Sequence, residues 1–217
     1  MRHDRGVLDA SVLYPEPIRS LLLWIATQEG FDPCWTERIL EETRRNLIGE
    51  GAVSSVQWEG LRAAMQEAFP GALIKQADAD AIEREMPNDP KDRHVLAAAV
   101  VAGVDLIVTN NVKHFKQTDI ESVGVRAITA DQFLGDLLDA VPNVVLRALE
   151  DHAVRMRNPR QWSLAELLGR LAGLGRGDAL APRFAAAAAV RFDIEAAVPP
   201  PRIKPREEDD GMSHGHL

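Results

Sequence analysis

Short apolar segments alternate with helical patterns between residues 6 and 140, and this alternation constrains the fold more than any other feature of the chain. The apolar segments at 6–9, 105–109 and 125–128 have the length of buried strands. Stretches with apolar residues three and four positions apart separate them. Such a succession is typical of a mostly parallel sheet covered by helices. The sequence therefore predicts an α/β fold.

Individual elements follow from the same patterns. Predicted strands occupy residues 6–9, 32–35, 72–75, 105–109 and 125–128, and predicted helices occupy residues 15–29, 37–49, 55–68, 78–85, 90–102 and 130–140. The segments 54–57 and 129–132 fit the capping-box pattern, in which a hydroxyl and a side-chain carbonyl satisfy free amides at a helix start. Gly51 and Gly103 mark two helix ends.

Beyond residue 140 the pattern contains helices only. Apolar residues recur at helical spacing through 141–153, Ser163 opens a second amphipathic helix that runs to Leu174, and an alanine-rich helix covers 181–190. These pieces have too little apolar surface to fold alone, so they are expected to pack on the sheet domain or on a partner. We predict a domain at 1–140, a helical C-terminal extension at 141–192 and a disordered, proline- and charge-rich tail at 193–217.

Composition excludes several classes of protein. The formal net charge of -8 argues against a non-specific nucleic-acid coat protein, although it does not exclude a phosphodiester substrate. The chain has no apolar signal segment and no run near the roughly 18 residues that span a bilayer, so a cytoplasmic protein with no membrane contact is expected. Basic residues near the candidate site are open to two interpretations, nucleic-acid contacts or solvated surface: Arg38, Arg44, Arg45, Arg93, Lys113 and Lys116.

Polar residues follow two of the predicted strands. Asp9 ends the first strand and Asn111 comes just after the strand at 105–109. Parallel strands with right-handed crossovers present their carboxyl ends at one edge of the sheet, where open α/β sheets bind ligands. Asp9 is alternatively a cap or turn residue, and Ser11 is either a hydrogen-bond donor to Asp9 or another turn residue.

Two further acidic segments could reach the same edge. Asp89 followed by Pro90 and Asp92 is fully explained as a helix start, with Asp89 as the cap, yet Asp92 could still face the sheet edge. Glu42 falls at the border of the apolar face of its helix, whereas Glu41 points further toward solvent, and a surface pair of Glu42 with Arg45, three residues on, is equally compatible. Clustered carboxylates without a neutralising base usually hold a hard divalent metal ion.

Four segments in this order, 8–13, 39–45, 89–99 and 107–115, resemble the PIN domain family, and the resemblance covers roughly residues 4 to 140. It looks closest to the bacterial branch of VapC-type toxins of toxin–antitoxin pairs. The resemblance implies a three-layer α/β/α sandwich and a ribonuclease that depends on Mg²⁺ or Mn²⁺. Members are often dimeric and are often inhibited by an antitoxin encoded beside them.

The resemblance also implies roles for individual residues. Asp9, Glu42 and Asp92 would be the three metal-binding acids, with Ser11, Asp89 and Thr109 as supporting residues. Asn111 stands where a fourth aspartate is common, so it is a candidate ligand that lacks charge, and His114 stands where some relatives carry another acid.

The leading hypothesis is thus a metal-dependent endoribonuclease that cleaves RNA, the toxin of a type II toxin–antitoxin pair, with an antitoxin partner and a possible homodimer. Asn111 motivates a second hypothesis, a PIN-like binding module with weakened or lost catalysis that acts through RNA or protein contacts. A third is an unrelated metal-dependent phosphohydrolase on a similar sheet.

Overall fold

The structure is a computed structural model that describes residues 5–155, 162–173 and 180–195. Its centre is a five-stranded parallel sheet of order β3-β2-β1-β4-β5. The strands are β1 (Arg5–Leu8), β2 (Asp32–Thr36), β3 (Leu73–Ile74), β4 (Leu106–Val108) and β5 (Arg126–Ile128). The predicted α/β fold is confirmed. Because strand order reverses between β1 and β4, the carboxyl ends of these two strands form the switch point where such sheets bind ligands.

Helices cover the sheet and continue beyond it. Around the sheet lie α1 (Ala10–Leu13), α2 (Glu16–Thr27), α3 (Glu37–Gly49), α4 (Ser55–Ala68), α5 (Gln76–Ile82), α6 (Arg93–Ala102), α7 (Gln117–Ile120) and α8 (Ala130–Ala140). Short 3₁₀ turns occupy Glu83–Glu85, Val112–His114 and Glu121–Val123. The capping box at Ser54 is present in full, and the Thr129 hydroxyl accepts a hydrogen bond from the Gln132 amide. Gly103 ends α6 in the left-handed conformation, as its position predicts.

The start of α6 differs from the prediction. We expected a helix over 90–102 with Asp89 as its cap, but α6 begins at Arg93 and Asp92 is its capping residue. The Asp89 carboxylate instead accepts a hydrogen bond from the Lys91 amide at 3.0 Å, and the Asp89 carbonyl accepts one from the Asp92 amide at 3.0 Å. Asp89 therefore closes a turn that precedes the helix, which places the second aspartate at the helix terminus.

Three helices form the C-terminal extension: α9 (Pro142–Arg155), α10 (Leu164–Leu171) and α11 (Pro182–Arg191). Helix α9 packs against α2 and α11 packs against α8, so the extension packs on the sheet domain, which is the first of the two arrangements expected from the sequence. Phe184 is buried in this contact, and the Asp131 carboxylate of α8 accepts a hydrogen bond from the Phe184 amide at 2.9 Å. Burial of Phe184 and the partly buried hydrogen bond from its amide to Asp131 therefore hold the start of α11 against α8.

Ordered packing extends slightly past the predicted end of the extension. We expected disorder from residue 193, but Ile194 packs against the core and its amide donates to the Ala189 carbonyl at 2.9 Å. The remainder of the predicted tail, and Leu174 of the second extension helix, lie outside the described residues. Within the parts of the chain that the structure describes, no helix combines the length and the apolar character that a bilayer crossing requires.

Candidate metal centre

Asp9 lies at the switch point of the sheet. Its amide donates to the Val108 carbonyl at 3.0 Å, which continues the β1–β4 pairing by one residue, and its side chain is almost fully buried. The Ser11 and Thr109 hydroxyls each donate to Oδ2 of Asp9 at 2.6 Å. Two donors on one oxygen fix the carboxylate and leave Oδ1 without a hydrogen-bond donor among the described residues.

The loop after β4 is fastened to α1 by the same hydroxyls. The Asn110 amide donates to the Ser11 hydroxyl at 3.0 Å, and the Asn110 side chain donates to the Ser11 carbonyl at 3.1 Å. The Asn111 amide donates to the Thr109 hydroxyl at 3.0 Å. Ser11 and Thr109 are therefore placed beside Asp9 as expected for supporting residues. Asn111 enters this network through its backbone, so its role as a ligand stays a prediction.

Asp92 stands at the terminus of α6, because this helix begins at Arg93. It is largely buried, and its Oδ2 lies 2.5 Å from Nδ1 of His114. Burial raises the pKa of Asp92, and the negative charge of Asp9 raises it further; together they outweigh the His114 contact, which lowers it. The charge of Asp9, at the end of β1, thus acts on Asp92 at the start of α6.

A third acid and a histidine complete a compact set of possible ligands. Asp89, Asp92 and His114 each offer one ligand atom, and these atoms all lie within 4.8 Å of one another. The Asp89 amide donates to the His114 carbonyl at 3.2 Å, which ties the two loops together. His114 was not among the candidate ligands from the sequence. The signal that could have indicated it was its place where relatives carry an acid.

Glu42 is half-buried at the border of the apolar face of α3 and also lies 4.0 Å from Arg45, the surface pair that the sequence left open, while Glu41 forms a surface ion pair with Arg44. Oε2 of Glu42 lies 3.2 Å from Nε2 of the buried His94, and its Oε1 lies 3.6 Å from Nε of Arg38. Burial acts to raise the pKa of Glu42, but the contact with His94 and the charges of the two nearby arginines outweigh it and hold the pKa below its usual value. The lowered pKa favours the ionised form of Glu42 at neutral pH.

Together these side chains have the composition of a divalent metal site. Carboxylate oxygens predominate, with one imidazole nitrogen, and the Asp9 side chain has two hydroxyls but no basic residue as its hydrogen-bond partners. Mg²⁺ prefers such oxygen donors, and Mn²⁺ accepts both oxygen and imidazole. The residues fit a divalent ion. Among the described residues, the ligand atoms within 4.8 Å of one another belong to Asp89, Asp92 and His114, while the charge of Asp9 acts on Asp92 and Glu42 contacts His94, so a shared site of Asp9, Glu42 and Asp92 stays a prediction.

A groove of about 890 Å³ lies beside this centre, between α8 and the start of α11. It borders the centre at Asn110, and its walls include Asp131, Asp136 and Asp139. Asp131 is already engaged as the cap of α11. The excess of carboxylates makes this groove unfavourable for a phosphate backbone.

Comparison with known proteins assigns the class. The PIN domain family matches residues 5–113, which is half of the chain, and the chain therefore belongs to the PIN domain family. Residues 130–190, which span α8 to most of α11, match a second family described as the VapC50 C-terminal domain. The resemblance stated from the sequence motifs is thus confirmed.

One curated relative is more specific. Over 54 residues the chain is 48% identical to a protein of Mycobacterium tuberculosis (strain ATCC 25618 / H37Rv) named "Putative ribonuclease VapC50". The match covers 25% of this chain and 32% of that protein, so it spans about a third of the relative's length. No solved structure matches this chain.

Proposed function

We propose that this protein is a Mg²⁺- or Mn²⁺-dependent endoribonuclease and the toxin of a type II toxin–antitoxin pair. The observation that supports the proposal is the cluster of Asp89, Asp92 and His114, whose ligand atoms lie within 4.8 Å of one another, together with the buried Asp9 at the carboxyl end of β1, whose charge acts on Asp92. Membership of the PIN domain family and similarity to a protein named as a VapC50 ribonuclease support it.

In this proposal Asp9, Glu42 and Asp92 hold the ion, with Asp89 and His114 beside Asp92. A divalent ion in this position activates a water and offsets charge on the phosphate oxygens during in-line displacement. Ser11 and Thr109 orient the Asp9 carboxylate through Oδ2. Nδ1 of His114 lies 2.5 Å from Oδ2 of Asp92 and would orient that carboxylate toward the ion.

The RNA backbone is expected along the lysines that flank the proposed ligands in the sequence. Lys91 lies in the turn before α6, and Lys113 and Lys116 lie on and just after the 3₁₀ turn that carries His114. All three side chains are exposed and flank the proposed ligands, so they can contact phosphates without leaving solvent. A cognate antitoxin, a homodimer and a cytoplasmic location belong to the same proposal, through the similarity to the VapC-named relative.

Asp92→Asn tests the assignment. The variant keeps the shape of the side chain but removes the negative charge, and we expect cleavage of RNA in Mg²⁺ or Mn²⁺ to fall by more than about 100-fold, because even outer partners of a metal site are worth about 10- to 100-fold. Since burial and the Asp9 charge raise the pKa of Asp92, its ionised form opposes folding at neutral pH. The variant should therefore melt no lower than the parent in a chelator.

The matched control is Asp136→Asn, which removes an exposed carboxylate from α8 outside the proposed ligand set. Its cleavage rate should equal that of the parent. If Asp92→Asn cuts RNA at the parental rate, the ligand assignment is wrong.

A binding module with weakened catalysis remains the second candidate, and a specific observation favours it. The two positions where relatives carry further acids hold Asn111 and His114, which removes negative charge from the site. Calorimetric titration with Mg²⁺ and Mn²⁺ separates the candidates, because a protein that binds neither ion at this cluster fits the module.

A further inference from the structure

The inner face of α6 buries one histidine among apolar residues. His94 is 1% exposed, and the other buried positions of the helix are Val95, Leu96 and the alanines at 97–99. An imidazole in such a place loses its hydrogen bonds to water, which is unfavourable unless another polar group compensates. An apolar side chain of similar size would avoid that loss, so the presence of a histidine at position 94 needs an explanation.

The carboxylate of Glu42 lies beside this imidazole. Nε2 of His94 lies 3.2 Å from Oε2 of Glu42, although the N–H bond is not aligned with that oxygen, and Nδ1 has no hydrogen-bond partner within the described ranges. A small rotation of the ring would align the bond, and contacts of this kind tighten when a site is occupied.

The contact joins α3, which carries Glu42, to α6, which carries His94 and begins just after Asp92. We propose that His94 is a positioning residue that fixes the carboxylate of Glu42 relative to Asp92, and this inference rests on the proposed function. His94 is two residues after Asp92 on α6, so it links the two acids through one rigid helix. The two arginines near Glu42 are less suited to hold it in one position, because the Arg38 side chain is 39% and the Arg45 side chain 62% exposed.

The reason for such a residue lies in the flexibility of glutamate. A Glu42 side chain with several rotatable bonds loses rotamer freedom when it binds an ion, and an oriented partner reduces that loss. Outer partners of metal ligands are typically worth about 10- to 100-fold in metal affinity. A histidine that only fills space in the core would have no such effect.

Two substitutions separate positioning from packing. His94→Phe fills the cavity without a hydrogen-bond donor, whereas His94→Gln retains an N–H group near the position of Nε2. Calorimetric titration of the full chain with Mn²⁺ should show a Kd about 10- to 100-fold weaker in His94→Phe. His94→Gln should restore the affinity to within about threefold of the parent, and the cleavage rate at saturating Mn²⁺ should fall less than the apparent metal affinity.

His152 provides a matched control. It is also a fully buried histidine, and its Nε2 lies 3.7 Å from Oε1 of Glu16, but it belongs to α9 and lies away from the acids. His152→Phe should leave the Kd for Mn²⁺ unchanged, whatever it does to thermal stability.

A measurement on the unaltered protein covers the case in which His94→Phe does not fold. In ¹⁵N-labelled protein, saturating Mg²⁺ should shift the ring nitrogen resonances of His94 and leave those of His152 in place. Parental Mn²⁺ affinity in a folded His94→Phe variant, or an unshifted His94 ring in protein that binds Mg²⁺ by calorimetry, overturns the inference and leaves the proposed function standing. A parent that binds neither ion overturns both.

Discussion

Two buried histidines each contact a glutamate on another helix, and their surroundings differ. His94 of α6 lies 3.2 Å from Glu42 of α3, at the edge of the sheet where Asp92 and Asp9 also converge. His152 of α9 lies 3.7 Å from Glu16 of α2, at the junction between the C-terminal extension and the sheet domain.

The neighbours of each glutamate separate the two pairs. Glu16 also accepts a hydrogen bond from the Ser20 hydroxyl at 2.7 Å, and the positive charge of Arg19 acts on it. Several polar groups thus surround the single carboxylate of Glu16, and its contact with His152 joins α2 to α9. Glu42 lies beside His94, Arg38 and Arg45, and its histidine is two residues from Asp92, one of the proposed metal ligands. We therefore expect the same residue pair to join two helices in one region and to serve the proposed metal site in the other.

The extension should depend on apolar packing far more than on its polar contacts. Phe184→Ala is expected to lower the free energy of unfolding by about 3 to 5 kcal/mol, because it empties a fully buried site between α11 and α8. Val190→Ala on the same helix, where the side chain is 85% exposed, should change stability by less than about 0.5 kcal/mol. Urea denaturation measures both. A small loss in Phe184→Ala would mean that α11 contributes little to the fold.

Exchanging each glutamate for glutamine should affect different properties. We expect Glu42→Gln to reduce metal-dependent cleavage by more than about 100-fold with little loss of stability, since outer partners of such sites alone are worth about 10- to 100-fold. Glu16→Gln should leave cleavage within about twofold of the parent, because surface and junction contacts act on stability by small amounts. Cleavage rates of both variants, measured at saturating and at limiting metal concentrations, test this prediction. Equal effects of the two substitutions would erase the distinction between the pairs.

The smallest effect is the pH dependence at the junction. Burial acts to raise the pKa of Glu16, but its contacts with His152 and Ser20 and the charge of Arg19 hold it below the ordinary value of 4.5. A lowered pKa means that the ionised form stabilises the fold above pH 4.5, and that this contribution disappears as pH falls through the lower folded value.

The stability difference between the parent and Glu16→Gln should therefore be constant at neutral and mildly acidic pH and should shrink only below pH 4.5. Because the Glu16 side chain is 43% exposed, solvent screens the interaction and the whole difference is small. Thermal melts over a pH series measure it, and a difference that grows toward low pH would contradict the assigned sign.

Local patterns in the sequence were sufficient for much of the fold and part of the site. Alternating apolar segments predicted the parallel sheet, and Asp9 was placed correctly because a residue after a buried strand must lie at the sheet edge. The half-buried position of Glu42 at the border of the apolar face followed from the 100° rotation per residue of a helix. The start of α6 could not be predicted, because Asp89 and Asp92 are both good capping residues and the turn around Asp89 selects the second.

The amino-acid sequence by itself determined which residues face the core, where strands end and which helices carry caps, since those features depend on neighbours a few positions away. Only the tertiary structure decided that His114 joins Asp92 and Asp89, that His94 faces Glu42, and that α11 is capped by Asp131. The physical reason is that these contacts join elements tens of residues apart, and their distances are set by how β1 pairs with β4 and how the helices pack, which no local periodicity encodes.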